Sequence, residues 1–152
     1  MPQRADGRDA AERFALKLTD SGLQRMSARV LAAFLFTEQD TLTMGEVAEE
    51  LGVSAGSVSA ALKSLGGVGL IERVPAPGSR REHYRLRDDA WATLFTSQNT
   101  VIQVMMDAAR DGIAATSRTS PAWHRLRQMG GFYEFLLAEI PALLDKWQRQ
   151  QR

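Results

Sequence analysis

The residues best suited to chemistry lie in one stretch, residues 53–87, where a small-residue segment precedes a cluster of arginines. Between residues 54 and 64, serine, alanine and glycine stand where an exposed helix ordinarily carries glutamate and lysine. Residues 73–87 have one acid, Glu82, and five arginines, which are Arg73, Arg80, Arg81, Arg85 and Arg87. Since the whole chain has a net charge of only +1, this local excess indicates an anionic partner met at one face. A solvated arginine-rich loop is the plain alternative.

Other kinds of chemistry find little support. The chain has no cysteine, which excludes disulfides, thiolate catalysis and cysteine-bound zinc. Its two histidines, His83 and His124, are far apart in sequence, so we expect no metal site. The glycines of LGGVGL lack the lysine that ends a phosphate-binding loop, and no Gly-x-Ser-x-Gly elbow occurs. We therefore expect neither an enzyme nor a cofactor.

The ends and apolar runs of the chain carry no targeting signal. The N-terminal stretch MPQRADGRDAAERF is polar, and it has no apolar region of the kind found in signal peptides. The longest apolar run, Val30 to Phe36, is far too short to cross a bilayer. The sequence predicts a cytoplasmic protein with no membrane partner.

Helical spacing and capping residues predict the first half of the fold. Apolar residues recur every three or four positions over Arg8–Asp20 and over residues 24–36, which predicts two helices. Thr43 precedes MGEVAEEL with Glu46 three residues on, the pattern of a capping box. Ser54 is placed to cap the next helix, predicted over residues 55–65.

Residues 44–65 fit a helix-turn-helix. Ala48 is small where two helices must cross closely, and Gly52 suits a left-handed turn four residues later. The residues that would form the apolar seam are Val47, Leu51, Val53, Val58, Leu62 and Leu65. Gly66, Gly67 and Gly69 are expected to end the second helix, and LIERV and REHYRL then predict two strands around the turn PAPGS. Such a hairpin makes the winged form.

Two long helices are predicted beyond the hairpin. The first is expected over residues 90–116, and the second is expected to begin at Ser120–Pro121. Gly130–Gly131 and Pro141 are expected to bend or divide that second helix. The predicted fold class is therefore mainly α with a small β-hairpin wing, a winged helix-turn-helix with flanking dimerisation helices.

The outward face of the second helix of the pair fits a major groove, which admits a slim helix without carboxylates. Ser57 and Ser59 are suited to base edges or phosphates, and Lys63 to a phosphate or guanine. Arginines at the hairpin tip would reach the minor groove. The residues predicted to contact DNA are Thr43, Ser54, Ala55, Gly56, Ser57, Ser59, Lys63, Arg80, Arg81 and His83. The alternative is that the small residues admit a helix of another protein.

The stretch TLTMGEVAEELGVSAGSVSAALKSLGGVGLIERVPAPGSRREHYRL resembles the winged helix-turn-helix of MarR-type transcriptional regulators, and more closely their GbsR-like branch. The similarity extends over about residues 24–90, and FYEFLLAEIPALLDKW is similar to the C-terminal helix of that family. The resemblance implies a homodimer with interlocked terminal helices, recognition by residues 55–65, and a wing contact from Arg80 and Arg81. PAPGSRREHY lacks the aspartate of the Asp-x-Arg wing motif that many members have, which predicts a looser wing.

The sequence thus predicts a sequence-specific regulator that binds double-stranded DNA at a pseudo-palindromic operator and is expected to act as a repressor. Residues 1–22 would form an N-terminal arm and dimerisation helix, 23–87 the DNA-binding domain, and 88–152 the C-terminal dimerisation helices. A winged-helix module that contacts an acidic protein partner is the alternative, and a ligand-binding enzyme subunit is a third, weaker one.

Aromatic and methionine residues are concentrated in the C-terminal half. At helical spacing such residues usually form a core or a dimer interface. The functional interpretation is a pocket for a small-molecule effector, where aromatic faces would receive an apolar or cationic ligand. The residues assigned to that pocket are Trp91, Phe95, Met105 and Trp123.

Overall fold

A computed structural model describes residues 2–97 and 99–152, which form two compact units, one extending to Leu94 and the other Phe95–Arg152. The elements in chain order are α1 (Pro2–Asp20), α2 (Arg25–Phe36), β1 (Leu42–Thr43), α3 (Met44–Leu51), α4 (Ala55–Gly67), β2 (Ile71–Val74), β3 (His83–Leu86), α5 (Ala90–Ser97), α6 (Asn99–Ala114) and α7 (Pro121–Gln150). The predicted class, mainly helical with a small sheet, is confirmed. Among the described residues, no helix combines the length and apolarity that a bilayer span needs.

Helix α2 is the centre of the first unit. Its residues Val30, Leu31, Ala33 and Phe34 are all buried, and they pack in one apolar cluster with residues of α3, α4 and β2. On the opposite side of α2, alanines at the contact with α1 form a smaller buried cluster. Because alanine is short, the α1 and α2 backbones can approach closely there.

Three strands form an antiparallel sheet in the order β1-β3-β2. His83 of β3 lies opposite Thr43 of β1 and opposite Val74 of β2. The two hairpin strands were predicted, but β1 was not. A strand of two residues is too short to show alternation of apolar and polar positions.

The capping predictions for the helix-turn-helix are confirmed. Thr43 Oγ1 accepts from the Glu46 N–H at 3.2 Å, while Glu46 Oε2 accepts from the Thr43 N–H at 2.7 Å. Helix α3 ends at Gly52, whose φ of 65° is left-handed. Ser54 then caps α4 by accepting from the Ser57 N–H at 3.2 Å. Local hydrogen bonds thus fix both ends of the turn.

Two predicted helix boundaries are wrong. Helix α1 begins at Pro2 instead of Arg8, because proline fits the first turn of a helix, where no N–H is needed. Helix α4 continues through Gly66 and Gly67. It is closed one turn later, where the Leu70 N–H bonds to Leu65 O at 3.0 Å and the Gly69 N–H to Gly66 O at 3.1 Å. Gly69, with φ 79°, is the glycine that ends the helix.

The second unit consists mainly of α6 and α7 packed against each other. Ser120 caps α7 as predicted, accepting from the Trp123 N–H at 3.1 Å. Pro141 and the two glycines do not divide α7, which is continuous over 30 residues. A Cβ on Gly130 would lie 3.3 Å from Ala109 Cβ, so this glycine allows a close helix crossing. The long helix predicted over residues 90–116 is described as α5 and α6, and residue 98 lies outside the described residues.

Replacing Gly69 with alanine should destabilise the fold more than the same change at Gly52. Both residues have positive φ, which costs an alanine roughly 1–2 kcal/mol. At Gly69 the new Cβ would also lie 2.3 Å from Thr93 Cγ2, whereas nothing lies within 4 Å of a Cβ at Gly52. Overpacking adds about 1–3 kcal/mol. Urea unfolding of both variants measures the difference.

Thr93→Ser removes the clashing methyl and keeps the hydroxyl. In the Gly69→Ala background it should recover the overpacking part of the loss, and in the wild type it should have little effect. Equal destabilisation by Gly69→Ala and Gly52→Ala would contradict the close contact with Thr93.

Candidate nucleic-acid interface

Helix α4 turns one face into the core and the other outward. Its buried residues are Val58, Ala61, Leu62 and Leu65. The exposed positions are all small or basic, and they are Ala55, Gly56, Ser57, Ser59, Ala60, Lys63, Ser64, Gly66 and Gly67. The helix has no carboxylate. It therefore presents a slim face without negative charge, as entry into a major groove about 12 Å wide requires.

The N-termini of α3 and α4 meet the same hydrogen-bonding need with different residues. In both helices the cap hydroxyl accepts from the third helical N–H, of Glu46 in α3 and of Ser57 in α4. In α3 the third residue is a glutamate that returns a second bond to the cap. In α4 it is Ser57, whose hydroxyl lies 2.9 Å from Ser54 Oγ. At the third helical position, α4 therefore has a hydroxyl where α3 has a carboxylate.

A groove of about 300 Å³ separates α4 from the hairpin. On its helix side lie Ser59 and Lys63, and on its hairpin side lie Arg73, Glu82 and Tyr84. Among residues 2–97 and 99–152, the side chains of Ser59 and Lys63 have no hydrogen-bonding or ionic partner. Their polar groups are therefore available to an external ligand.

Three of the five hairpin arginines are neutralised by acids of the same sheet region. Arg73 forms an ion pair with Glu82. Arg85 Nε lies 2.8 Å from Glu72 Oε1, and Arg87 Nε lies 3.0 Å from an oxygen of Asp89. The remaining two, Arg80 and Arg81, are exposed and have no acidic partner within the described part of the chain. The unpaired charge of the hairpin is therefore concentrated at its tip.

Three side chains of the hairpin interact with one another where the Asp-x-Arg motif is absent. Glu82 pairs with Arg73 and also accepts from the Tyr84 hydroxyl at 2.7 Å. The Tyr84 hydrogen bond, and then Arg73, lower the pKa of the Glu82 carboxyl. The same hydrogen bond raises the pKa of Tyr84. The wing lacks the aspartate of that motif, but the Arg73–Glu82 ion pair joins its two arms, and the Tyr84 hydroxyl orients Glu82 from the same arm.

Two residues predicted to contact DNA have structural roles instead. Thr43 is only 4% exposed, and its hydroxyl belongs to the capping box of α3. His83 is half-buried, with Nδ1 at 3.0 Å from Thr41 Oγ1 and Nε2 at 3.1 Å from Ser79 Oγ. Since both ring nitrogens of His83 and the Thr43 hydroxyl are already bonded, we leave these two side chains out of the proposed DNA contacts.

The residues assigned to an effector pocket are divided between the two units. Trp91 belongs to the first unit, and it is 48% exposed. Phe95, Met105 and Trp123 belong to the second. The guanidinium carbon of Arg127 lies 5.0 Å from the ring centroid of Trp123, so this cation already occupies one face of the indole.

Comparisons with known proteins match both halves of the chain. The MarR family model matches residues 21–82, and the model of the MmpR5-like MarR family transcriptional regulators matches residues 89–150. Between them the two models extend over most of the chain. The chain belongs to the MarR family.

Individual proteins and solved structures are also similar to this chain. HTH-type transcriptional regulator MmpR5 of Mycobacterium tuberculosis is 26% identical over 129 residues, which cover 84% of this chain and 78% of that protein. A crystal structure described as a transcriptional regulator has 25% identity and a TM-score of 0.78, covering 95% of this chain and 99% of its own. Apo MarR from E. coli matches with 16% identity and a TM-score of 0.44, over 91% of this chain and 94% of its own.

Family membership decides between the functions left open by the sequence. This MarR-family chain is a DNA-binding transcriptional regulator and not an enzyme. The alternative of a protein-interaction module is not favoured. The GbsR-like branch is not confirmed, since the model that matches the C-terminal helices describes MmpR5-like regulators.

Sequence reasoning missed the residues that hold the wing, which are Thr41, Glu72, Ser79, Glu82 and Tyr84. A signal for one pair was available. That pair is Glu72 and Arg85. The Ser79 N–H bonds to Ala76 O at 3.0 Å and closes the turn. With the turn at this position, the register of the two strands places Glu72 opposite Arg85. No comparable pattern marks Thr41, because its partner His83 lies 42 positions away in the chain.

The Tyr84 hydroxyl should titrate at lower pH when Glu82 is neutral. The hydrogen bond that Tyr84 donates to Glu82 is lost when Tyr84 deprotonates, and this loss, followed by burial and the nearby carboxylate charge, raises the pKa of Tyr84. Tyr133→Phe leaves Tyr84 as the last tyrosine in the chain, so its phenolate absorbance can be followed against pH. Adding Glu82→Gln should lower the pKa of Tyr84. Glu38→Gln, an exposed control, should leave it unchanged, and an equal pKa in all three proteins would contradict the hydrogen bond.

Proposed function

We propose that the chain binds a pseudo-palindromic operator as a homodimer, with α4 of each protomer in the major groove. The observation that carries this proposal is the exposed, carboxylate-free face of α4 beside the unpaired cations Lys63, Arg80 and Arg81. Two such helices in a symmetric dimer would read half-sites about one helical turn apart, roughly 34–36 Å.

The proposed contacts divide between the helix and the wing tip. Ser57 and Ser59 hydrogen-bond to base edges or phosphates, and Lys63 binds a phosphate or guanine. Ala55 and Ala60 are small enough to contact a thymine methyl. Arg80 and Arg81 follow the backbone towards the neighbouring minor groove, where its negative potential favours arginine.

Exposed apolar surface supports the homodimer. Helices α6 and α7 of the second unit leave large side chains uncovered, with exposures from 49% to 65%. These residues are Val101, Val104, Phe132, Phe135, Leu143 and Trp147. So many large apolar side chains uncovered on one helix pair mark an association surface. A second copy of the same helices has the complementary apolar character.

Further properties implied by the resemblance remain predictions for this chain, namely repression and response to a small molecule. We also propose a cytoplasmic location, where the operator would be found. Residues 1–22 and 88–152 remain the segments proposed for dimerisation, and residues 23–87 the segment proposed for DNA binding.

Light scattering on the purified protein should give about twice the 16.8 kDa chain mass. Phe135→Glu places a charge on the proposed interface, and it should lower the mass towards that of a monomer. Gln128→Glu adds the same charge at an exposed polar position of α7, and it should leave the dimer intact. A monomer at micromolar concentration in the unchanged protein would contradict the proposed dimer.

Ser57→Glu should separate stability from DNA binding. With Ser54 as the cap, a glutamate at the third helical position recreates the capping box of α3 and favours the helix N-terminus by about 0.3–1 kcal/mol. The same carboxylate would lie against DNA phosphates and abolish operator binding. Thermal unfolding and a gel shift with competitor DNA measure the two effects, on an operator selected from a random DNA pool.

Two variants complete this test. Ser59→Glu should also keep the fold and lose DNA, since Ser59 is exposed on the same face. Val58→Glu should unfold the protein, because Val58 is fully buried and the carboxylate of the new glutamate would have no partner there. Full DNA affinity in folded Ser57→Glu and Ser59→Glu proteins would show that α4 does not read the operator.

A further inference from the structure

A chain of hydrogen bonds connects the wing tip to the segment that leads into the helix-turn-helix. Thr41 Oγ1 lies 3.0 Å from His83 Nδ1, and His83 Nε2 lies 3.1 Å from Ser79 Oγ. Ser79 Oγ in turn accepts from the Arg81 N–H at 3.2 Å and lies 3.5 Å from Arg81 O. Thr41 immediately precedes β1, whose last residue, Thr43, caps α3.

One placement of hydrogens satisfies every contact in this chain. The Thr41 hydroxyl donates to Nδ1, and the His83 Nε2–H donates to Ser79 Oγ. Ser79 Oγ then accepts from both His83 and the Arg81 N–H, and its own hydrogen points to Arg81 O. A serine hydroxyl has one donor and two acceptor positions, so its capacity is filled. With the hydrogen on Nδ1 instead, Ser79 would donate to Nε2 and Arg81 O would lose its donor.

These hydrogen bonds affect how much conformational entropy the wing tip loses when it binds DNA. Arg80 and Arg81 lie in an exposed segment between the turn and β3, where few backbone groups are tied down. Ordering a residue of a free loop costs backbone conformational entropy. A tip that is already ordered meets that cost during folding, before DNA is bound.

We propose that Thr41, His83 and Ser79 act as a positioning relay that sets the backbone of Arg81 for its contact with DNA. The proposal rests on the function proposed above, because it assumes that the wing tip meets DNA. Thr41 and His83 themselves need not touch the nucleic acid. They act through Ser79, and His83 also fixes the relay to the sheet by pairing with β1 and β2.

The first test uses the protein without DNA. Thr41→Val replaces the hydroxyl by a methyl of the same shape, while Thr41→Ser keeps the hydroxyl. The Arg81 amide should have an NMR order parameter near the ~0.85 of rigid backbone in the wild type and in Thr41→Ser, and should fall towards ~0.6 in Thr41→Val. An unchanged order parameter in Thr41→Val would overturn the relay, whatever the wing does on DNA.

The second test asks whether Thr41 acts through Arg81, using the duplex that wild-type protein selects from a random pool. Arg81→Ala should weaken binding and reduce the slope of log affinity against log salt by about one. Thr41→Val alone should weaken binding roughly fivefold, the equivalent of one hydrogen bond. In the Thr41→Val background, Arg81→Ala should cost at most half as much, on a logarithmic scale, as in the wild type.

A matched control removes another hydroxyl from the same region. Thr37 Oγ1 accepts from the Gln39 N–H at 3.1 Å, a contact that includes no residue of the hairpin, so Thr37→Val loses one hydrogen bond outside the proposed relay. It should leave both DNA affinity and the effect of Arg81→Ala unchanged. Additive effects of Thr41→Val and Arg81→Ala would overturn the relay alone. No effect of Arg81→Ala in the wild type would overturn the proposed Arg81 contact, and the relay's effect on DNA binding with it.

Discussion

The pairing of β3 with both of its neighbours is the constraint on which the reading surface depends. Strand β1 leads directly into α3, because Thr43 is at once its last residue and the cap of that helix. Strand β2 begins where the chain returns from the end of α4. Since β3 lies between these strands, one short element joins the start and the end of the helix-turn-helix. Backbone hydrogen bonds therefore set the wing against α4, and side chains only refine its tip.

Electrostatics around this frame are arranged by pairing as much as by composition. Five arginines in the hairpin predicted a basic patch at one face, yet Arg73, Arg85 and Arg87 form ion pairs with acids within the sheet region. Such exposed pairs contribute little to stability. Their larger effect is on the field, since they cancel charge at the base of the hairpin and leave it at the tip. A positive potential concentrated there favours one orientation of approach to a phosphate backbone.

The sequence predicted the helix features that depend on neighbouring residues. Capping boxes, glycine turns and apolar spacing are local, so Thr43, Ser54 and Ser120 were correctly placed from the sequence. The face of α4 was also predictable, because 3.6-residue periodicity assigns each position to one side. The end of α4 was predicted only in part, since Gly69 was among the expected stops but the helix continues through Gly66 and Gly67, although glycine is unfavourable in a helix interior.

The wing contacts escaped prediction for a different reason. Thr41 and His83 lie close together only because β1 pairs with β3. No local sequence pattern predicts a strand of two residues. His83 was consequently assigned to DNA when its two nitrogens serve the fold. The division of Trp91 and Trp123 between two units was equally invisible, since helical spacing describes a face but not what covers it.

The two units differ in how much of their apolar surface they bury within one chain, and this difference links folding to assembly. The first unit surrounds α2 with a continuous buried cluster drawn from most of its elements. Within the described part of Phe95–Arg152, the buried apolar residues are Ala109 and Ile140 alone. Two helices that bury so little of their own apolar surface gain most of their stability from whatever covers them. If that cover is the second protomer, as we propose, then association is part of folding for α6 and α7. The stability of this unit then depends on protein concentration, while the core around α2 is already formed within one chain.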